Sequence, residues 1–173
     1  MGGFEEILLV PANVSPTKAR QPPVAGHHRV RMCQLAFEGW SLLRVLDLDI
    51  QRSGPTYTID TLQQIAQVEG PELRLIIASE LARELHSWRH PDQLLQLAPP
   101  WVFSLREGPD PTSWHEDPIS RILAAQVTVI PSFDVSSTEV RERLRHGQWC
   151  GHLVPQNVLH YIHEHQLYLP PQP

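Results

Sequence analysis

The chain has 173 residues, 17 of them proline and 9 glycine, with 41% apolar and 19% charged residues and a formal net charge of −5. Recurring Leu, Ile and Val runs exclude a disordered chain, and the lack of any tract or repeat excludes a collagen-like or low-complexity one. The mild negative charge speaks against a dedicated nucleic-acid binder, which carries a basic patch. Cys33 and Cys150 are too few and too far apart for a disulfide framework, so free thiols are expected. No apolar run reaches the ~20 residues that span a bilayer. Met1-Gly2-Gly3-Phe4-Glu5-Glu6 lacks the basic and apolar parts of a signal peptide, and the expectation is a soluble cytoplasmic protein.

Glu6–Val10 is an apolar run stopped by Pro11 and reads as a buried strand. Pro11–Val24 is a proline-rich loop carrying Lys18 and Arg20, and Gly26–Phe37 reads as a helix. Leu43–Ile50 is a second strand, followed by a turn at Gly54-Pro55. Thr58–Val68 places Ile59, Leu62, Ile65 and Ala66 on one helical face. Leu73–Ala78 is nearly all apolar, the composition of a strand covered on both faces. Leu81–Leu85 and Pro91–Leu97 read as short helices, the second opened by its proline. Trp101–Leu105 and Val127–Ile130 are further strands around a polar loop, Glu107–Asp117. Ser137–His146 and Pro155–His165 are the last helices. Strands alternating with helices predict an α/β domain with a parallel sheet, whose ligands lie beyond the carboxyl ends of the strands.

Four features there could carry chemistry. Ser136-Ser137-Thr138-Glu139-Val140-Arg141 has the spacing of a capping box, Ser136 at N-cap and Glu139 three residues on. The same helix start, with free amides, hydroxyls and an arginine one turn in, suits a phosphate. Gly54–Leu62 reads as a turn and a helix capped by Thr58, or as a polar loop end that bonds a small ligand. Trp88 is either a packing tryptophan or a platform for an aromatic ring. Lys18 and Arg20 are solvated loop charges or a phosphate clamp. His27 and His28 read as capping or surface residues. His160 and His163 share a helix face but lack a third ligand, so no metal site is expected. Gly-x-Ser-x-Gly, Cys-x-x-Cys and P-loop patterns are absent.

Taken in order, several segments resemble the bacterial nicotinate-nucleotide adenylyltransferase family, a branch of the nucleotidyltransferase superfamily, from about Glu5 to Tyr168. They are Ile7-Leu8-Leu9-Val10-Pro11, Ser15-Pro16-Thr17-Lys18, His28-Arg29, Arg52–Leu62 with its Tyr57-Thr58-Ile59-Asp60-Thr61-Leu62, Trp88, Ser136–Arg141 and Tyr161–Tyr168. The resemblance implies a Rossmann-like nucleotidyltransferase fold over residues 1–168, with a proline-rich tail at 169–173. It implies adenylyl transfer from ATP to nicotinate mononucleotide with Mg²⁺. The alternatives are a catalytically inactive nucleotide-binding or regulatory module, or another adenylyl- or cytidylyltransferase. Ser136, Ser137, Thr138 and Arg141 would hold the ATP phosphates, Lys18 would neutralise phosphate charge and Glu80 would bind a ribose hydroxyl. Thr56, Tyr57 and Thr58 would line the nicotinate pocket, and Trp88 would stack on the pyridine ring. The family's first, central strand and its His-x-Gly-His motif have no counterpart here, which implies weak or lost turnover. Partners are ATP and the mononucleotide, with no nucleic acid and no membrane. A homo-oligomer is left open.

Overall fold

Ile7-Leu8-Leu9 forms β1 (Ile7–Leu9), and the chain continues through α1 (Gly26–Ala36), β2 (Leu43–Val45), α2 (Leu48–Gln51) and α3 (Thr58–Glu69). Next come β3 (Leu75–Ala78), α4 (Ser79–Ala82), a 3-10 turn at Leu85–Ser87, α5 (Pro91–Leu97) and β4 (Pro100–Leu105). The last elements are α6 (Pro118–Ala124), β5 (Thr128–Ile130), α7 (Ser137–Arg145) and α8 (Gln156–Glu164). The computed structural model describes residues 4–14, 24–69, 72–105, 118–125, 127–132 and 135–169. Lys18, Arg20, the Glu107–Asp117 loop and Pro170–Pro173 lie outside the described residues. Two compact units emerge: Met1–Thr56 with Val135–Pro173, and Tyr57–Asp134.

In the first unit β1 and β2 pair in parallel, Ile7 opposite Leu43 and Leu9 opposite Val45, with α1 as the crossover. Glu6 and Arg44 brace the start of this ladder through two hydrogen bonds of 2.8 and 3.0 Å, which hold the Glu6 carboxyl below its ordinary pKa. The predicted strand Leu43–Ile50 is shorter than expected. It ends at Val45, and the Asp47 carbonyl then accepts the N–H groups of Ile50 and Gln51 to start α2. Buried Asp49 pairs with Arg52 in this turn. Alternating apolar residues suit a strand and a short helix equally, and β1 offers only three residues to pair with. At the start of α1, a Cβ added to Gly26 would come within 2.7 Å of the Ile50 side chain.

The core of this unit is Leu144, Cys150, Val158, Leu159, Ile162 and Leu167, with Met32, Leu35 and Ala36 packed against it. Polar clamps fasten its rim. Asn157 Nδ2 donates to the Leu35 carbonyl at 2.7 Å. Arg29 donates to the carbonyls of Val24 (3.0 Å), Asn13 (3.0 Å) and Ala12.

In the second unit β3, β4 and β5 form a parallel sheet in that order, with Ile77 opposite Val102 and Phe103 opposite Thr128. Ile59, Leu62, Ile77, Ala82, Leu85, Leu94, Ala98, Val102 and Leu123 make a continuous apolar core. Inside it the Ser79 hydroxyl donates to the Ser104 hydroxyl at 3.3 Å, so this buried polar pair is satisfied. Strand β3 is not covered on both faces as its composition suggested. Ile77 is 3% exposed but Ile76 is 41% exposed, the alternation of a strand with one covered and one open face. The predicted helix Leu81–Leu85 begins earlier, at Ser79, and breaks before the 3-10 turn. Helix α6, opened by Pro118, was not anticipated.

Candidate functional site

The first turn of α7 is built from its own hydroxyls. Ser136 is the N-cap, in extended conformation, and its Oγ accepts the Thr138 N–H at 3.2 Å. The reciprocal half of the capping box does not form, because Glu139 instead accepts a 2.9 Å bond from Arg143 Nε one turn on. Arg141 folds back along the helix, and its Nη2 donates to Ser137 Oγ at 3.5 Å and Thr138 Oγ1 at 3.4 Å. Ser136, Ser137 and Thr138 are exposed. A guanidinium, two hydroxyls and helix N-terminal amides thus meet in one turn, an arrangement suited to an anion. Arg141 also acts on Tyr168. Burial pushes the Tyr168 hydroxyl up in pKa, while the positive charges of Arg141 and Arg29 pull it the other way.

Thr56 is buried and already engaged. Its N–H donates to the Val14 carbonyl at 3.0 Å and its hydroxyl to the same oxygen at 3.4 Å, beside a parallel bridge between Val14 and Pro55. Asn13 Nδ2 donates to the Arg52 carbonyl at 2.9 Å, so the turn from Arg52 to Thr56 is tied to the chain after β1. Glycine is required in that turn, since Gly54 sits at φ +85°.

In the second unit Tyr57 and Trp88 pack against the same apolar core. Thr58 does not cap α3 as expected; it is the first helical residue. The Tyr57 carbonyl accepts the N–H groups of Asp60 (3.1 Å) and Thr61 (3.3 Å) instead. Trp88 is half-buried where the 3-10 turn ends, and its N–H donates to the Leu85 carbonyl at 3.0 Å. Glu80 lies exposed in the first turn of α4, directly after β3. Arg89 was missed by sequence reasoning. Its guanidinium carbon lies 4.8 Å from the centre of the Tyr57 ring, and Nη1 lies 3.5 Å from Asp60 Oδ2. The signal was present in the pairing of Trp88-Arg89 with the acidic residue of the Tyr57–Leu62 motif.

Two histidine expectations change. The N-cap of α1 is Ala25, without side-chain capping, so neither His27 nor His28 caps the helix. His27 is exposed, but His28 is half-buried, and its Nδ1 lies 2.8 Å from the Tyr161 hydroxyl in a hydrogen bond. His27, His28, Tyr161 and His165 form one ring cluster with centroid separations of 4.1 to 5.7 Å. Burial first, then the neighbouring His27 and His165, hold His28 below its usual pKa of 6.5. Burial likewise raises the Cys33 thiol, against a smaller opposing pull from Arg29. Among the described residues no group of three or more His, Cys, Asp or Glu is arranged to hold a metal ion. Nor is any helix among them long and apolar enough to cross a membrane.

The cytidylyltransferase-like family matches residues 1–143. A Pectobacterium atrosepticum protein named "Probable nicotinate-nucleotide adenylyltransferase" is 34% identical over 186 aligned residues, covering 96% of this chain and 85% of the relative. One of the same name from Dehalococcoides mccartyi is 34% identical over 173, covering 96% and 83%. Among solved structures, Plasmodium falciparum nicotinic acid mononucleotide adenylyltransferase is similar with TM-scores of 0.64, complexed with APC, and 0.67, complexed with NaAD. Each shares 18% identity and covers 95% of this chain and 82% of that one, a likeness of fold. That fold is the Rossmann-like α/β nucleotidyltransferase fold with parallel strands, and the chain belongs to the nicotinate-nucleotide adenylyltransferase family.

Proposed function

We propose that this chain transfers the adenylyl group of ATP to nicotinate mononucleotide, a step of NAD biosynthesis in the cytoplasm. A phosphate oxygen of the mononucleotide attacks the α-phosphorus of ATP. A new P–O bond forms, the bond from that phosphorus to the β-phosphate oxygen breaks, and pyrophosphate leaves with the electron pair. The observation that carries this reading is the 34% identity with relatives of that name over 96% of the chain.

Such a reaction needs positioning and charge stabilisation more than a general base. Ser136, Ser137, Thr138 and Arg141 supply N–H groups, hydroxyls and a guanidinium to the ATP phosphates. Lys18 adds positive charge, and Glu80 accepts a bond from a ribose hydroxyl. Thr56, Tyr57 and Thr58 line the pyridine pocket, Thr56 through its backbone position because its hydroxyl is already bonded to Val14. Trp88 covers one face of the ring. Mg²⁺ carried with ATP would offset the charge of its phosphates.

The test is a substrate panel with ATP and nicotinate mononucleotide, nicotinamide mononucleotide or phosphopantetheine, read as pyrophosphate release and dinucleotide formed. Release with a pyridine mononucleotide alone is the expected result. Arg141→Ala should then lower kcat/KM for ATP by about tenfold or more, the scale of a lost hydrogen bond to a charged group. Release with phosphopantetheine alone would overturn the reading. So would mononucleotide binding in a calorimeter without ATP binding, which would make the chain a binding module.

A further inference from the structure

We propose that Asp49 is a positioning residue for the mononucleotide, acting through Arg52 and the turn that ends at Thr56. The inference rests on the adenylyltransferase reading, which assigns Thr56 to the pyridine pocket, and deepens it. This turn needs a frame from outside. Gly54, in its middle, sits at φ +85°, and glycine changes backbone conformation more freely than any other residue. At the start of the turn Arg52 is fixed twice. Its guanidinium pairs with the Asp49 carboxylate, and its carbonyl accepts a bond from Asn13 Nδ2 at 2.9 Å. At the end Pro55 bridges Val14, and Thr56 gives its N–H and its hydroxyl to the Val14 carbonyl at 3.0 and 3.4 Å. Asn13 and Val14 thus hold the two ends from one short segment, and Asp49 adds the only charge in the frame among these contacts.

Asp49 is 6% exposed. A carboxylate so enclosed keeps its charge only beside a partner, and such a pair adds little net stability over an apolar replacement. What it supplies is geometry, since neither group can leave without stranding the other. Asp49 is itself seated in α2, which is closed by the N–H groups of Ile50 and Gln51 on the Asp47 carbonyl. The route is short: α2 seats Asp49, Asp49 holds Arg52, and Arg52 starts the turn that Thr56 ends. Asp49 touches no substrate in this role. Without it the turn samples other arrangements, and a ligand that fits one of them binds more weakly by the fraction of time that one is formed. ATP is assigned to other residues, Ser136–Arg141. The loss should therefore fall on one substrate.

The test compares the wild type with Asp49→Asn, which keeps the side chain's shape without its charge, and with Arg52→Lys, which keeps the charge but loses the fork. In Asp49→Asn the KM for nicotinate mononucleotide should rise about tenfold, the scale of a lost bond between charged groups, while kcat and the KM for ATP hold. Arg52→Lys should raise the same constant by less. A fall in kcat with KM unchanged, equal rises in both KM values, or no change in any of them would overturn the proposal. Amide hydrogen exchange gives a second reading without ligand or turnover. The Thr56 N–H should exchange faster in Asp49→Asn, while the Leu46 N–H, bonded to the Leu9 carbonyl at 2.9 Å, keeps its rate. Equal acceleration at both would mark a general loosening of this unit and overturn the proposal. If Asp49→Asn does not fold, Arg52→Lys answers both measurements alone. A wild type that releases no pyrophosphate would refute adenylyl transfer while the exchange comparison still tests Asp49.

Discussion

In the unit built on β3, β4 and β5, Ile59, Leu85, Leu94, Val102 and Leu123 are each 1% exposed or less. In the core cluster of the other unit the best-buried side chains, Cys150 and Ile162, are at 3%, and Leu159 and Leu167 are at 9%. The second of these regions compensates with directed polar contacts: Arg29 to three carbonyls, Asn157 to Leu35, and His28 to Tyr161. One unit is thus held chiefly by close apolar packing and the other by a looser core with specified hydrogen bonds. Damage should have different signatures in the two. A cavity should dominate in the first and an unmade polar contact in the second.

The largest effect is expected from Leu85→Ala, at about 3 kcal/mol, since a fully enclosed leucine leaves a cavity that its neighbours cannot fill. Leu159→Ala should cost about 2 kcal/mol or less, because a rim position relaxes more easily. Urea denaturation of both variants measures the difference, and equal losses would erase the contrast. Arg29→Ala follows at about 1–3 kcal/mol, the range for bonds from a charged donor. Its signature should be faster hydrogen exchange at the Leu46 N–H, which bonds the Leu9 carbonyl at the end of the β1–β2 ladder. Exchange unchanged there would mean that Arg29 does not brace this region. Ser136→Ala should cost about 1 kcal/mol by removing the α7 cap. Glu139→Gln should cost only a few tenths (~0.3 kcal/mol), since it breaks an exposed pair one turn apart rather than a capping bond. A larger loss for Glu139→Gln would restore the full capping box.

The smallest effect is a slope. His28 has its folded pKa below 6.5, so above that value it is neutral in both the folded and the unfolded chain. As pH falls below 6.5, the unfolded chain takes up a proton that the folded one resists. Stability should therefore decline from there downward and level off below the folded pKa. Comparing urea midpoints at pH about 7.5 and about 5.5 for the wild type and His28→Gln reads this directly, and the variant should show the shallower decline.

These elements also mark what the sequence could reveal. Helices α3, α5, α7 and α8 were legible because a cap, an initial proline or a 3.6-residue apolar stripe marked each one. The end of β2 was not, because Leu46, Leu48 and Ile50 alternate whether they extend or coil, and the length of the partner strand decides between the two. Helix α6 was hidden by the polar, proline-rich stretch before it, although Pro118 carried a start signal. At the candidate site the hydroxyl cap and the Arg141 contacts of the Ser136–Arg141 turn could be read locally, since they fall within six residues, whereas the Arg143 partner of Glu139 lies beyond them. The role of His28 could not, because its partner Tyr161 is 133 positions away. Several residues that carry the family resemblance, among them His28, Tyr161 and Leu167, prove to be packing and clamp residues of one unit.

The close approach of Gly26 to Ile50 bears on how this sequence can drift. A methyl group at position 26 would sit 2.7 Å from two carbons of Ile50, so alanine there forces the isoleucine side chain to shift. Shortening position 50 first would open the route. The two positions are therefore coupled, and the cost of replacing one depends on the residue at the other. Helix α1 owes its seat against α2 to an absent atom, a constraint that helix propensity alone would urge the chain to discard.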